Sequence, residues 1–129
     1  MDLNNANVLI TGGSRGIGRA IAEILADQGA NVAITSRNAK QCEEVAKKIG
    51  GLAIQANVAE QADVDHTYQV FFEHFDRLDV LINNAGIVAR ADLGEIDFDK
   101  MEEIYKTNVF GAAMMGNKAA PLFKAQKHG

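Results

Sequence analysis

The chain has one cysteine, Cys42, one proline, Pro121, and no tryptophan. A single cysteine rules out an intrachain disulfide and a cysteine-paired metal site, and a reducing cytoplasm is the compartment expected. Basic residues are not in excess: 13 Lys and Arg against 17 Asp and Glu leave a net charge of −4. With no basic stripe, nucleic acid is set aside as a partner. No apolar run approaches the length of a bilayer span, and Met1-Asp2-Leu3-Asn4-Asn5 has no signal-peptide pattern, so no membrane association is expected. Serine and tyrosine are also scarce. Ser14, Ser36, Tyr68 and Tyr105 are all there are.

What remains is rich in organisation. At 129 residues and 47% apolar content, the chain has material for one domain with a real core. Short apolar runs alternate with amphipathic segments, as in a parallel sheet covered by helices. Strands are expected at Val8–Thr11, Asn31–Ser36, Leu52–Val58 and Val80–Ile82. Helices are expected at Gly16–Gln28, with Ile17, Ile21, Ile24 and Leu25 on one face and Gly29 as its stop, and at Ala39–Ile49 before Gly50-Gly51. Cys42 shares a face of the second helix with Val45, Ala46 and Ile49, which gives it a packing role. A third helix, Gln61–Phe75, carries Val64, Tyr68, Phe71, Phe72 and Phe75 at the 3.6-residue period, and this stripe reads as core. After a connection from Ile87 to Asp97, a long helix starts near Phe98 and runs towards Lys127. Pro121 should kink or break it. Right-handed crossovers then give the order 3-2-1-4, the first half of a Rossmann-type doubly wound α/β sheet. Its crevice lies between strands 1 and 4.

The run Thr11-Gly12-Gly13-Ser14-Arg15-Gly16-Ile17-Gly18 sits between the first strand and the first helix. Glycines there let backbone approach a pyrophosphate, while the helix N-terminus offers free N–H groups and the positive end of its dipole. Glycine also serves plain tight turns, so the loop alone is a weak sign. Its spacing, G-x-x-x-G-x-G, lacks the Lys-Ser/Thr ending of a phosphate-loop NTPase, which argues against ATP or GTP hydrolysis.

Together with Asn83-Asn84-Ala85-Gly86, this spacing resembles the N-terminal half of the short-chain dehydrogenase/reductase family. Thr11–Gly18 matches its TGxxxGIG motif and Asn83–Gly86 its NNAG motif. Asn57-Val58 looks like its strand-3 pair, and Lys106-Thr107-Asn108-Val109 its long-helix asparagine segment. Members of the acyl-carrier-protein reductase and carbonyl reductase type are nearest in kind. The resemblance implies that Gly12, Ser14, Arg15, Gly16, Ile17 and Gly18 hold the phosphates and ribose of a nicotinamide cofactor. It implies that Asn57 accepts from the adenine amino group beside Val58, and that Asn84, Ala85 and Gly86 line the path to the nicotinamide ribose. It also implies hydride transfer with a small carbonyl or alcohol substrate, and a homo-oligomer.

Cofactor choice is readable from charge. NAD-dependent members place an acidic residue at the end of strand 2, where it binds the ribose 2′-hydroxyl. Here Ser36-Arg37-Asn38 stands in that place, with no Asp or Glu between Gln28 and Gln41. A guanidinium grips a 2′-phosphate with paired hydrogen bonds, and Arg15 adds a second charge, so NADP(H) is expected over NAD(H). Plain solvation of both arginines is the competing reading.

The family's acid/base tyrosine, its lysine four residues on, and its serine have no counterparts. Tyr68 is followed four on by Phe72 and Tyr105 by Val109, and both serines lie in the cofactor loops. Only Asn108 resembles a member of the catalytic tetrad. Tyr105, beside Met101 and Ile104, is expected to pack, and His66, His74 and His128 to be lone surface histidines. Residues 1–129 therefore read as the cofactor-binding half of an oxidoreductase, ending before strand 5. Strand 4 is then an edge and the apolar face of the last helix is exposed. A non-catalytic NADP(H)-binding module, one part of a split protein, and an unrelated flavin or S-adenosylmethionine binder are the alternatives.

Overall fold

The computed structural model describes residues 2–129. Four parallel strands form one sheet: β1 (Asn7–Thr11), β2 (Asn31–Ser36), β3 (Leu52–Gln55) and β4 (Val80–Ile82), in the order β3-β2-β1-β4. Val8 stands opposite Val32 and Val80, and Ile10 opposite Ile34 and Ile82. The expected order and strand alternation are both present.

Because side chains alternate across a strand, each strand feeds two cores. Leu9, Ala33 and Ile54 face one way, against Val64, Tyr68 and Phe71 of α3 (Gln61–His74) and Met115 and Ala119 of α5 (Ala112–Gln126). Val8, Ile10, Val32 and Ile34 face the other, against Ala22 of α1 (Gly16–Asp27) and Cys42, Val45 and Ala46 of α2 (Ala39–Ile49). Local signals set the ends of α2. The Asn38 side chain accepts from the Gln41 N–H at the start, and Gly50 takes the left-handed conformation at the stop.

Four expectations are corrected. In α1 Gly18 and Ala22 are buried and Ile21 and Leu25 pack against the core as expected, while Ile17 and Ile24 are exposed. Small residues let the helix lie close, which pushes the larger ones to its flanks. Of the aromatic stripe, Phe72 is exposed and meets Phe71 edge-on at 5.3 Å between ring centres. The long C-terminal helix is not broken at Pro121. It is α4 (Phe98–Tyr105), a π-helical segment at Lys106–Gly111, and then α5, which runs through Pro121. The carbonyl that Pro121 leaves without a helical partner belongs to Asn117, an exposed residue on the solvent side of the helix. α5 buries Met115 and Ala119, and the expected long helix exposes apolar side chains along its first half: Phe98, Met101, Tyr105, Val109 and Phe110. Lastly, Tyr105 is therefore exposed and not packed.

Candidate functional site

The C-terminal ends of the strands open onto a cleft of about 580 Å³ at the switch point between the neighbouring strands β1 and β4. Gly12, Ser14, Arg15, Gly16 and Ile17 line it from the first loop, and Ser36 and Arg37 from the end of β2. Asn57 and Val58 follow β3 into it, and Asn84, Ala85 and Gly86 follow β4. The residues expected to hold a cofactor are thus brought together with one exception, Gly18, and the expected catalytic residue Asn108 also stands outside the lining.

Gly18 lies behind the loop, where a Cβ would run into the Gly12 carbonyl and the Asn84 side-chain amide. Its part is to let α1 approach the first loop. Asn108 Oδ1 accepts from the Ile87 N–H at 2.8 Å and its Nδ2 donates to the Ile87 carbonyl at 2.8 Å, which ties the π segment to the chain after β4. Ile87 is itself a lining residue.

Thr11 holds the loops in register. Its Oγ1 accepts from the N–H groups of Asn84 (3.1 Å) and Ala85 (3.0 Å). Asn84 returns both amide protons, to the carbonyls of Thr11 and Gly12, each at 3.0 Å. Across the cleft the Ser14 hydroxyl donates to Ser36 Oγ at 2.8 Å, and Ser36 Oγ accepts from the Asn38 N–H at 3.2 Å. Asn57 Oδ1 accepts from the Ala59 N–H at 3.0 Å, which leaves one lone pair for an outside donor. Sequence reasoning missed Thr35, Asn38, Gln41, Ala56 and Thr107, which also line the cleft. Thr35 and Ala56 flank the residues it chose on the same strand ends, and that adjacency was the available signal.

The cleft suits an anionic dinucleotide on three counts. Arg15, at the start of α1, gives no side-chain cap, and the first turn holds no acidic residue, so its N–H groups are open to an anion. Gly16 has a positive φ of 54°, and a Cβ there would meet no atom within 4 Å, so the loop is a cradle and not a packed turn. The Thr35 hydroxyl, buried beside the cleft, has no hydrogen-bond partner among the described residues. Arg37 Nη1 lies 3.8 Å from Glu103 Oε1 on α4.

The histidines do not join the site. His66 and His74 are exposed, as expected, but His128 is not a lone residue: its Nε2 lies 2.9 Å from the buried Asp79 carboxylate, at the opposite end of the sheet. Tyr68 donates its hydroxyl proton to the Met115 carbonyl at 2.7 Å, and burial pushes its ionisation up. No group of acidic, His and Cys side chains among the described residues could hold a metal.

The sequence model of a family described as short chain dehydrogenase matches residues 6–129. The chain belongs to that family. A 3-oxoacyl-(acyl-carrier-protein) reductase of Staphylococcus aureus is 38% identical over 129 residues, covering 95% of this chain and 52% of the relative. A sorbitol dehydrogenase of Cereibacter sphaeroides is 35% identical over 117 residues, 89% of this chain and 46% of the relative. Among solved structures, a 3-ketoacyl-(acyl-carrier-protein) reductase from Brucella melitensis complexed with NADH superimposes with a TM-score of 0.93 at 34% identity. That match covers 95% of this chain and 52% of the other. This short-chain dehydrogenase chain spans about half the length of the relatives it matches.

Proposed function

We propose that residues 1–129 are the cofactor-binding half of an NADP(H)-dependent short-chain oxidoreductase. When bound, the nicotinamide supplies or accepts the hydride exchanged with a small-molecule carbonyl or secondary alcohol. The observation that carries this reading is the cleft between β1 and β4, with Arg15 and Arg37 both in its lining. The first loop and the open first turn of α1 hold the pyrophosphate. Asn57 and Val58 take the adenine, Ser36 and Arg37 the adenosine ribose and its 2′-phosphate. Asn84, Ala85 and Gly86 border the nicotinamide ribose, and Asn108 keeps Ile87 in place beside them.

The proton chemistry has no donor among these residues. Neither tyrosine lines the cleft, and Tyr68 has its hydroxyl committed to α5. That observation favours a second reading for the isolated chain, as a module that binds NADP(H) without turning it over. Steady oxidation of NADPH by the purified chain on adding a simple ketone would overturn this part of the proposal. The exposed apolar side chains of α4 and the π segment fit an enzyme that self-associates. Among the described residues no helix is long and apolar enough to cross a membrane.

The cofactor assignment is tested at Arg37. A charged hydrogen-bonded contact to phosphate corresponds to roughly ten- to a hundredfold in affinity. Arg37→Asp should weaken NADPH binding by that factor and NADH binding by less than threefold, read from nicotinamide fluorescence. Equal losses for both cofactors would sink the NADP(H) reading.

A further inference from the structure

Arg37 is the residue on which that reading of cofactor choice depends, and it has a neighbour of opposite charge. Its guanidinium reaches from the end of β2 to Glu103 on α4, with Nη1 and Oε1 3.8 Å apart. At that distance the pair is Coulombic and not hydrogen-bonded, so the guanidinium keeps its donors free for another acceptor. Glu103 is fixed from its own side. Its other oxygen, Oε2, accepts from Lys100 Nζ at 2.7 Å, one turn back along α4. The Lys100 hydrogen bond, aided by the charge of Arg37, holds the Glu103 carboxyl below the usual carboxylate range. An ionised carboxylate is therefore held in place facing Arg37, although β2 itself ends without one.

We propose that Glu103 is a specificity-determining residue that tempers the preference for NADP(H) by competing with the 2′-phosphate for Arg37. This rests on the reading of Arg37 given above. A phosphate offers the guanidinium paired, short, charge-assisted hydrogen bonds, and the exposed 3.8 Å contact offers none. NADP(H) therefore draws Arg37 away. The carboxylate left behind would stand close to a phosphate held by Arg37 and, carrying the same sign of charge, would oppose it. NAD(H) makes no such demand. With it, Arg37 stays on Glu103, its charge is balanced, and the ribose hydroxyls meet a neutral pair. The cost of separating the pair falls on one cofactor only.

The test is fluorescence titration of the purified protein with NADPH and with NADH, for wild type, Glu103→Gln, Arg37→Ala and the double variant. Exposed pairs of this kind correspond to about a two- to fivefold change. Glu103→Gln should tighten NADPH by that factor and leave NADH within 1.5-fold, and in the Arg37→Ala background its effect on NADPH should shrink below 1.5-fold. Glu102→Gln removes the same charge one residue away, from a carboxylate paired with Lys106, and should leave both constants unchanged. An unchanged NADPH constant in Glu103→Gln overturns the inference, as does an equal shift for both cofactors or an equal gain from Glu102→Gln. The two levels separate cleanly. If Arg37→Ala binds NADPH as tightly as wild type, the NADP(H) reading falls and this inference with it. If Arg37→Ala weakens NADPH while Glu103→Gln does nothing, only the inference falls.

Discussion

Thr11 shows what a single side chain does for the cleft. Its hydroxyl oxygen receives two backbone N–H groups from the turn after β4, and it is 1% exposed. Thr11→Val keeps the shape and removes the acceptor, leaving two donors unsatisfied at about 1–3 kcal/mol for such a group. We expect a lower urea midpoint and weaker binding of NADPH and NADH alike, because the turn positions both. Thr11→Ser should restore both measurements. A loss confined to one cofactor would show that Thr11 acts at the adenosine end and not through the turn. The sequence made Thr11 visible as the first letter of a loop but hid this role, because its partners lie 73 and 74 residues away. Asn108 was obscured in a different way. Its position was legible from the segment around it, but a pair of hydrogen bonds to Ile87 leaves no trace in local spacing.

Elements were legible where their cause is local. Glycine spacing, apolar alternation and the Asn38 and Gly50 caps each act within a few residues, and the strands and first three helices follow from them. The π segment has no such local cause. A π turn takes in one residue more than an α turn and so rotates the face after it by roughly 100°, and no residue type within the segment announces it; π turns of this kind occur often at functional sites. What the element requires is a glycine at its end. Gly111 sits against the residue after Asn57, and a Cβ there would lie 2.8 Å from Val58 Cγ2 and 2.9 Å from the Val58 carbonyl oxygen. The second of these is backbone and cannot swing aside. Gly111→Ala should therefore cost about 1–3 kcal/mol through overpacking. It should also weaken NADPH binding several-fold by displacing Val58 from the cleft wall. Thermal unfolding and cofactor titration of the same variant give both numbers. Unchanged binding in a destabilised variant would place Val58 outside the adenine site.

At the scale of the molecule, the sheet has two ends with different tasks. The cleft occupies the C-terminal end, and a buried carboxylate organises the other. Asp79 accepts from the Asn7 N–H at 2.8 Å, from Arg77 Nε at 2.9 Å and faces His128 Nε2 at 2.9 Å, while Gln126 hydrogen-bonds the Leu78 backbone beside it. The starts of β1 and β4 and the chain after α5 are thus tied to one carboxyl group, through Asn7 and His128, 72 and 49 residues away, which no spacing rule could reveal. Burial alone would raise the ionisation of Asp79, but the Asn7 N–H, His128 and Arg77 outweigh it and hold the carboxyl below its ordinary value. A carboxyl depressed by folding contributes stability that is present above its unfolded value, about 3.9, and is lost as pH falls through the lower folded value. Wild-type stability should therefore decline below about pH 4, and Asp79→Asn should flatten that part of the profile. At pH 7 the variant should be less stable by about 1.5–3 kcal/mol, the range for hydrogen bonds to a charged group. Because Asp79 and the cleft lie at opposite ends of the strands, its NADPH dissociation constant should match wild type wherever the variant is folded. A dissociation constant that weakened in step with stability would mean that the two ends share one conformational equilibrium, and that the cleft is only as well formed as the clasp beneath it.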